Sequence, residues 1–174
     1  MNNGNNGIYE FGKWVETEVI DILSKHYNVE ILQTKGKFSS IDAMMFKDNM
    51  VYPCQIKAYA PRVVFRDISI PFHMYEKYKM ISDKNHGYKI FQVNTAYNTN
   101  KALDYCIYGF DIKDTVPTIS NFSNHDSKQH AFFKYNQMVK LDILPLYFQE
   151  QMEILKYQLN PPSPQYEKLY HKKF

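Results

Sequence analysis

The chain has 174 residues, a formal net charge of +3 and a sequence pI of about 8.6. A chain of this length fits one domain and can bury a sizeable core without disulfides or a structural metal. The small positive charge is compatible with a polyanionic partner, but it excludes a strongly basic protein dedicated to coating DNA.

The cysteines and the lack of long apolar runs bear on the cellular compartment. Cys54 and Cys106 stand in apolar, strand-like contexts, which indicates small buried residues rather than a disulfide framework or a zinc site. No run approaches the roughly 18 apolar residues of a membrane helix, and no signal segment opens the chain. We therefore expect a soluble cytoplasmic protein, nucleoid-associated or in the cytoplasm of a host cell, with no membrane partner.

The first elements follow from the spacing of apolar residues, which is about 3.6 positions in helices and 2 in strands. In chain order they are a disordered polar tail at 1–7, a helix at 8–27, a strand at 29–34, a polar loop at 35–39 and strands at 40–47 and 50–59. Asp48 and Asn49 are the turn residues that join the last two strands into a hairpin.

The later elements complete a single domain at residues 8–160. They are predicted as a helix at 71–85 with Pro71 in its first turn, strands at 88–95 and 105–112, a polar loop at 114–130, a strand at 132–141, a helix at 145–159 and a basic tail at 161–174. The helix at 71–85 is long enough to connect two parallel strands. The fold class is therefore α/β, a mixed β-sheet flanked by helices.

Three polar residues of the hairpin are predicted to converge. With Asp48 and Asn49 as the turn, Asp42 lies opposite Gln55 in a non-hydrogen-bonded pair, where Cβ atoms approach within about 4.5–5.5 Å. Lys57 is two residues beyond Gln55 and thus on the same face of the sheet.

Oxygen ligands side by side are typical of a site for a hard divalent cation such as Mg²⁺, for which Mn²⁺ can substitute. Asp42 and Gln55 each offer an oxygen, and the backbone carbonyl of Ile56 can complete the protein's share of the ligands. Such an ion lowers the pKa of a bound water, and the ammonium of Lys57 would stabilise charge on a nearby phosphate. This combination indicates hydrolysis of a nucleic-acid backbone.

The arrangement resembles the PD-(D/E)XK nuclease superfamily over roughly residues 9 to 112. The matching motifs are Ile41-Asp42 and Gln55-Ile56-Lys57, together with Gly12-Lys13-Trp14-Val15-Glu16, which is similar to the first helix of archaeal Holliday junction resolvases. The resemblance implies a restriction-endonuclease-like fold and a Mg²⁺-dependent DNA endonuclease, with Glu16 as a further metal or water ligand. It also implies a homodimer or higher homo-oligomer, since such enzymes cut both strands.

Two positions of the predicted site leave alternatives open, the carboxylate on the first helix and the position of the second acid in the motif. Helix geometry alone favours Glu18 over Glu16, because Glu18 lies nearer the centre of the apolar face. Gln55 replaces the usual second carboxylate, which removes a negative charge and should weaken cation binding. Glutamine is tolerated here in some homing endonucleases and in a transposase subunit of the superfamily, whereas in this chain it could also mark an inactive DNA-binding or protein-interaction module.

Several residues are candidates for contacts with DNA phosphates, with a solvated or flexible surface as the alternative for each. They are Lys35, Lys37, Ser39 and Ser40 on the loop before Asp42, and Arg62 and Arg66 after the second hairpin strand. The sequence does not decide between a junction resolvase and a homing or restriction enzyme. A third hypothesis is an interaction or structural protein without a nucleic-acid role, and it predicts that no salt-sensitive DNA binding is found.

Overall fold

A computed structural model describes residues 3–34, 40–58, 67–94, 105–121 and 129–159. The helices are α1 (Asn3–Tyr27), α2 (Phe72–Asp83) and α3 (Leu146–Leu159). The strands are β1 (Glu30–Gln33), β2 (Ala43–Lys47), β3 (Met50–Ala58), β4 (Asp67–Pro71), β5 (Lys89–Asn94), β6 (Cys106–Asp111), β7 (Thr118–Asn121), β8 (Gln129–Lys134) and β9 (Val139–Leu141). The predicted C-terminal tail at 161–174 lies outside the described residues.

A six-stranded mixed sheet forms the centre of the molecule, in the order β1-β2-β3-β5-β6-β9. β3 and β5 are parallel, and every other neighbouring pair in this sheet is antiparallel. The helix α2 lies between the two parallel strands in the chain, as a parallel connection requires. The predicted α/β class with a mixed sheet is thereby confirmed.

A second, three-stranded sheet in the order β4-β8-β7 was not predicted. The strand β7 falls in the stretch expected to be a loop, and all four of its residues are exposed, so no alternation of apolar residues marks it. The single strand expected at 132–141 is also wrong. The chain turns through a 3₁₀ helix at Tyr135–Gln137, which places β8 in the small sheet and β9 in the large one.

The mixed sheet separates two hydrophobic cores. One core lies between the sheet, α1 and α3 and includes Val15, Val19 and Phe148, with the Trp14 and Phe148 rings stacked at 5.0 Å. The other lies between the opposite face of the sheet, α2 and the three-stranded sheet, and it includes Tyr78 and Tyr88. The elements of the proposed site are thus fixed from both faces.

The observed starts of α1 and α2 can be compared with the starts predicted from local sequence signals. The helix α1 begins at Asn3 rather than at Ile8, because an existing helix can propagate into polar residues once it is nucleated. The disordered tail predicted at 1–7 is therefore wrong for the residues from Asn3 onward. Pro71 is the N-cap of α2, close to its predicted place in the first turn. Among the helices of the described ranges, none has the length and apolar character needed to cross a membrane.

Candidate active site

The hairpin of β2 and β3 has the predicted register along its whole paired length. Lys47 pairs with Met50 next to the turn, and Ala43 pairs with Cys54 at the far end. Asp48 and Asn49 have φ values of 52° and 60°, the positive pair that a two-residue type I′ turn requires. Cys54 and Cys106 are buried free thiols, as predicted.

Asp42 departs from this register by forming a bulge at the end of β2. Its N–H donates to the carbonyl of Cys54 at 2.8 Å, so that Asp42 and Ala43 both face one residue of β3. On the other side, its carbonyl accepts a hydrogen bond from the Thr34 N–H at 2.8 Å. The expected pairing of Asp42 directly opposite Gln55 is therefore not formed. Such a two-against-one arrangement re-aims side chains, and it is frequent next to active sites.

The bulge still brings the Asp42 carboxylate to the predicted partners on β3. Its Oδ2 accepts hydrogen bonds from the Gln55 Nε2 and from the Ile56 N–H, the latter at 2.8 Å. Burial raises the pKa of Asp42, while the Ile56 N–H and the positive charge of Lys57 act in the opposite direction. The carbonyl of Ile56 lies on the same edge of β3 as its N–H, because both polar groups of a strand residue point to one side.

Glu16 on α1 is the helical carboxylate at this site. Burial and the neighbouring Asp42 raise its pKa to about 7, and Lys57 and Lys13 oppose that shift. Glu18, the alternative from helix geometry, instead accepts a hydrogen bond from the Tyr147 hydroxyl of α3 at 3.2 Å. Asp42 and Lys57 both act on the ionisation of Glu16, so these three charged groups, which come from separate parts of the chain, lie near one another.

Gln55 is 4% exposed and is held by two buried tyrosines that the sequence did not single out. The hydroxyls of Tyr78 and Tyr88 lie 3.3 Å and 3.2 Å from its Oε1. The two rings stack at 4.6 Å with an interplanar angle of 14°. One tyrosine comes from α2 and the other immediately precedes β5, so only the tertiary fold brings them to Gln55.

The Tyr88 hydroxyl has two acceptors but a single hydrogen. It donates to the carbonyl of Ser40, and it also lies 3.2 Å from the Oε1 of Gln55. A hydroxyl can donate only one hydrogen bond, whereas it can accept two. With the amide nitrogen directed at Asp42, the Tyr88 hydrogen goes to the Ser40 carbonyl and the Tyr78 hydroxyl donates to the Gln55 oxygen, so both buried acceptors have a donor.

The orientation of the Gln55 amide bears on whether the site fits a cation. With the Gln55 oxygen toward Asp42, the amide N–H groups would reach the tyrosine hydroxyls, and the Tyr88 hydrogen would remain with Ser40. Two oxygens would then face each other at Asp42, and a positive ion between them would resolve the repulsion. Within the described ranges there is no group of three or more His, Cys, Asp or Glu residues that could hold a metal. The oxygen donors fit Mg²⁺ if the amide and a backbone carbonyl are included.

The predicted DNA contacts are only partly within the described residues. Ser40 is buried, and its carbonyl accepts the Tyr88 hydroxyl, so its position here is explained by packing. Its contact with a phosphate stays a prediction. The remaining candidates lie outside the described residues: Lys35, Lys37, Ser39, Arg62 and Arg66.

Comparison of the chain with protein-family models and with curated proteins gave no match.

Proposed function

We propose that the chain is a magnesium-dependent DNA endonuclease with a restriction-endonuclease-like core. The observation that carries this proposal is the convergence of Glu16, Asp42 and Lys57 from a helix, a bulge and a strand, with the pKa of Glu16 raised to about 7. Paired acids with displaced pKa values beside a lysine are typical of catalytic sites. The order of the elements supports the same proposal. A helix, three antiparallel strands, a second helix and a strand parallel to the third are the elements expected of such a core, and here β4 stands between β3 and α2.

The residues that would hold the ion each have an oxygen that can act as a ligand, and the Gln55 amide would have to turn to present its own. They are Asp42, Gln55, Glu16 and the carbonyl of Ile56. Bound Mg²⁺ would polarise the scissile phosphate and lower the pKa of a coordinated water. Gln55 contributes no charge, so the site carries less negative charge than one with a second acid, and we expect weaker cation binding.

Glu16 and Lys57 have separate roles in this proposal. Glu16 would accept a proton from the attacking water as a general base. The ammonium of Lys57 would donate to a phosphate oxygen and stabilise the negative charge that develops there. Cleavage of both strands of a duplex requires two such sites, so we propose a homodimer or higher homo-oligomer as the active form.

A second candidate function is a catalytically silent module of the same fold that binds DNA or a protein. The hydrogen bond from the Gln55 Nε2 to Asp42 favours it, because the amide N–H gives the Asp42 carboxylate a hydrogen-bond donor without any cation. A protein of this kind would bind DNA or a partner protein but would not cut DNA.

Cleavage of supercoiled plasmid and of a four-way DNA junction tests the proposal. Each substrate is incubated with Mg²⁺, Mn²⁺ or chelator and with the wild-type chain, Lys57→Ala or Lys113→Ala. Lys113 is an exposed lysine that follows β6, and its replacement controls for loss of surface charge. We expect metal-dependent nicking that falls by at least about 100-fold in Lys57→Ala only.

The preferred substrate separates a junction resolvase from a duplex cutter. Glu16→Gln and Glu18→Gln form a second matched pair, in which only the first should lose activity. Intact DNA under every metal condition, with salt-sensitive binding retained, would instead establish the silent module.

A further inference from the structure

Gln92 on β5 is a buried polar residue that the proposed chemistry does not use. Its side chain is 1% exposed, and its Nε2 donates to the carbonyl of Val93 at 3.0 Å. Its Oε1 is buried and accepts no hydrogen bond from any described residue. The reversed amide would bring two oxygens together at Val93, so the hydrogen bond to that carbonyl determines which amide atom lacks a partner.

Packing alone does not explain a glutamine at position 92. A buried polar group without a partner destabilises the folded state. An apolar side chain of similar size, such as methionine, would fill the same space without that cost. A donor that reaches the Oε1 in solution would account for the glutamine.

The register of the sheet identifies this donor as the ammonium of Lys57. β3 and β5 are parallel, and Lys57 pairs directly with Gln92. Side chains of paired residues project on the same face of adjacent strands, which lie about 4.8 Å apart, and a lysine side chain spans that separation. Within the described ranges Lys57 makes no hydrogen bond or ion pair, although its charge acts on Asp42 and Glu16.

We propose that Gln92 is a positioning residue whose Oε1 accepts a hydrogen bond from the Lys57 ammonium. The inference rests on the role of Lys57 in the proposed function. A donor without an acceptor and an acceptor without a donor occupy paired positions, and a rotation within the flexible lysine side chain brings them together. Gln92 is too deeply buried to touch DNA, so it acts only through Lys57.

A neutral acceptor suits this role better than a carboxylate. An ammonium that donates to an amide oxygen keeps its full charge and two further N–H groups for a phosphate oxygen. A glutamate at position 92 would instead hold Lys57 in an ion pair and compete with the phosphate. Lysine is a point charge on a flexible stem, so the hydrogen bond to Gln92 restricts where that charge lies.

Tyr108 on β6 is the alternative donor to Gln92. It pairs with Gln92 from the side opposite Lys57, and its ring packs against Tyr135 at 4.4 Å. Tyr108→Phe keeps this ring and removes only the hydroxyl. The variant therefore separates a hydrogen bond from Lys57 from one that Tyr108 donates.

Proton–nitrogen NMR spectra of the lysine ammonium groups test the proposal in the full-length chain. The proteins are the wild type, Gln92→Met, Gln92→Glu and Tyr108→Phe, and Lys57→Arg assigns the Lys57 signal by its absence. The exposed Lys113 is the reference within each protein. Thermal melts verify that every variant is folded.

We expect the Lys57 ammonium protons of the wild type to exchange with water at least about fivefold more slowly than those of Lys113. Tyr108→Phe and Gln92→Glu should keep this protection, since both retain an acceptor at position 92. In Gln92→Met the two lysines should exchange at rates within about twofold of each other, because methionine offers only a weak acceptor.

Cleavage kinetics give an independent readout. In Gln92→Met the kcat should fall by about tenfold while the KM stays within about twofold, because Lys57 acts on charge that develops in the transition state. Gln92→Glu should lose at least about as much activity although its ammonium stays protected, since the ion pair withdraws Lys57 from the phosphate. A residue that serves only the fold would not separate protection from activity in this way.

Unchanged protection of Lys57 in Gln92→Met would overturn the inference, because another group would then hold the ammonium. Exchange of Lys57 as fast as that of Lys113 in the wild type would overturn it as well, as would an equal loss of protection in Gln92→Met and Tyr108→Phe. Cleavage that is lost in Lys57→Ala but unchanged in Gln92→Met would reject the inference and keep the nuclease. Protection that depends on Gln92, without any DNA cleavage, would keep the hydrogen bond and reject the nuclease.

Discussion

Replacement of Glu16 by glutamine should stabilise the protein at pH 8 and do so much less at pH 5. The pKa of Glu16 rises from 4.5 to about 7 on folding, first because of burial and then because of Asp42. The folded state therefore binds a proton between these two pH values that the unfolded state has released. Unfolding becomes easier as pH rises through this window, and above pH 7 the full cost of the buried charge is present.

The magnitude follows from the size of the shift. A rise from 4.5 to about 7 corresponds to at most about 3.4 kcal/mol. Glu16 is only half-buried, so solvent screening reduces the expected gain from Glu16→Gln to about 1 kcal/mol at pH 8 and about 0.3 kcal/mol at pH 5. At roughly 2.1 cal/mol/K per residue, the gain at pH 8 raises the Tm by about 3 °C.

Differential scanning calorimetry in chelator at both pH values measures this effect. Glu18→Gln removes the same charge from the same helix but leaves the cluster at Asp42 intact, so the difference between the two variants isolates the cluster. An equal change in Tm at pH 5 and pH 8 for Glu16→Gln, or a loss of stability at pH 8, would refute the electrostatic reasoning. A gain in stability together with loss of cleavage would mark Glu16 as a residue kept for chemistry.

Four further predictions concern the scaffold. Gly87→Ala should destabilise the protein by about 2–3 kcal/mol, because Gly87 has φ 148° and a Cβ would lie 2.3 Å from the Asp111 Oδ2. Gly12→Ala, with nothing within 4 Å, should stabilise α1 by up to about 1 kcal/mol, and urea unfolding of both variants checks the pair. Phe148→Ala should cost about 3–5 kcal/mol and change the fluorescence of the stacked Trp14, which is the single tryptophan. Burial raises the pKa of Cys54 to about 12, so iodoacetamide at pH 8 should modify this thiol only after unfolding, as mass spectrometry would show.

The hairpin could be predicted because its information is local. Asp48 and Asn49 adopt the positive φ values that the turn demands, and the register up to Ala43 follows from the turn alone. The bulge at Asp42 could not be predicted in the same way. It depends on the neighbouring strand, where Thr34 holds the backbone of the acid from the other side.

The second sheet and the contacts of two tyrosines with Gln55 could not be predicted for a different reason. The strand β7 is polar and exposed, and it exists because β8 pairs with it, so its sequence carries no periodic signal. Tyr78 and Tyr88 resemble any other buried aromatic residue until the parallel pairing of β3 and β5 places them around one amide. Glu16 and Glu18 could be distinguished only from the tertiary structure, in which the Tyr147 hydroxyl of α3 donates a hydrogen bond to Glu18.

The turn at Asp48 and Asn49 has a consequence for how this protein can vary. It is exposed and lies about 20 Å along β2 from Asp42, given the rise of a strand per residue. Because side chains alternate between faces, a one-residue change in the length of this turn would exchange inward and outward positions along the paired strands. Two solvent-facing residues far from the acid thus determine where Gln55 and Lys57 stand relative to it, and selection can act on them although neither touches a ligand.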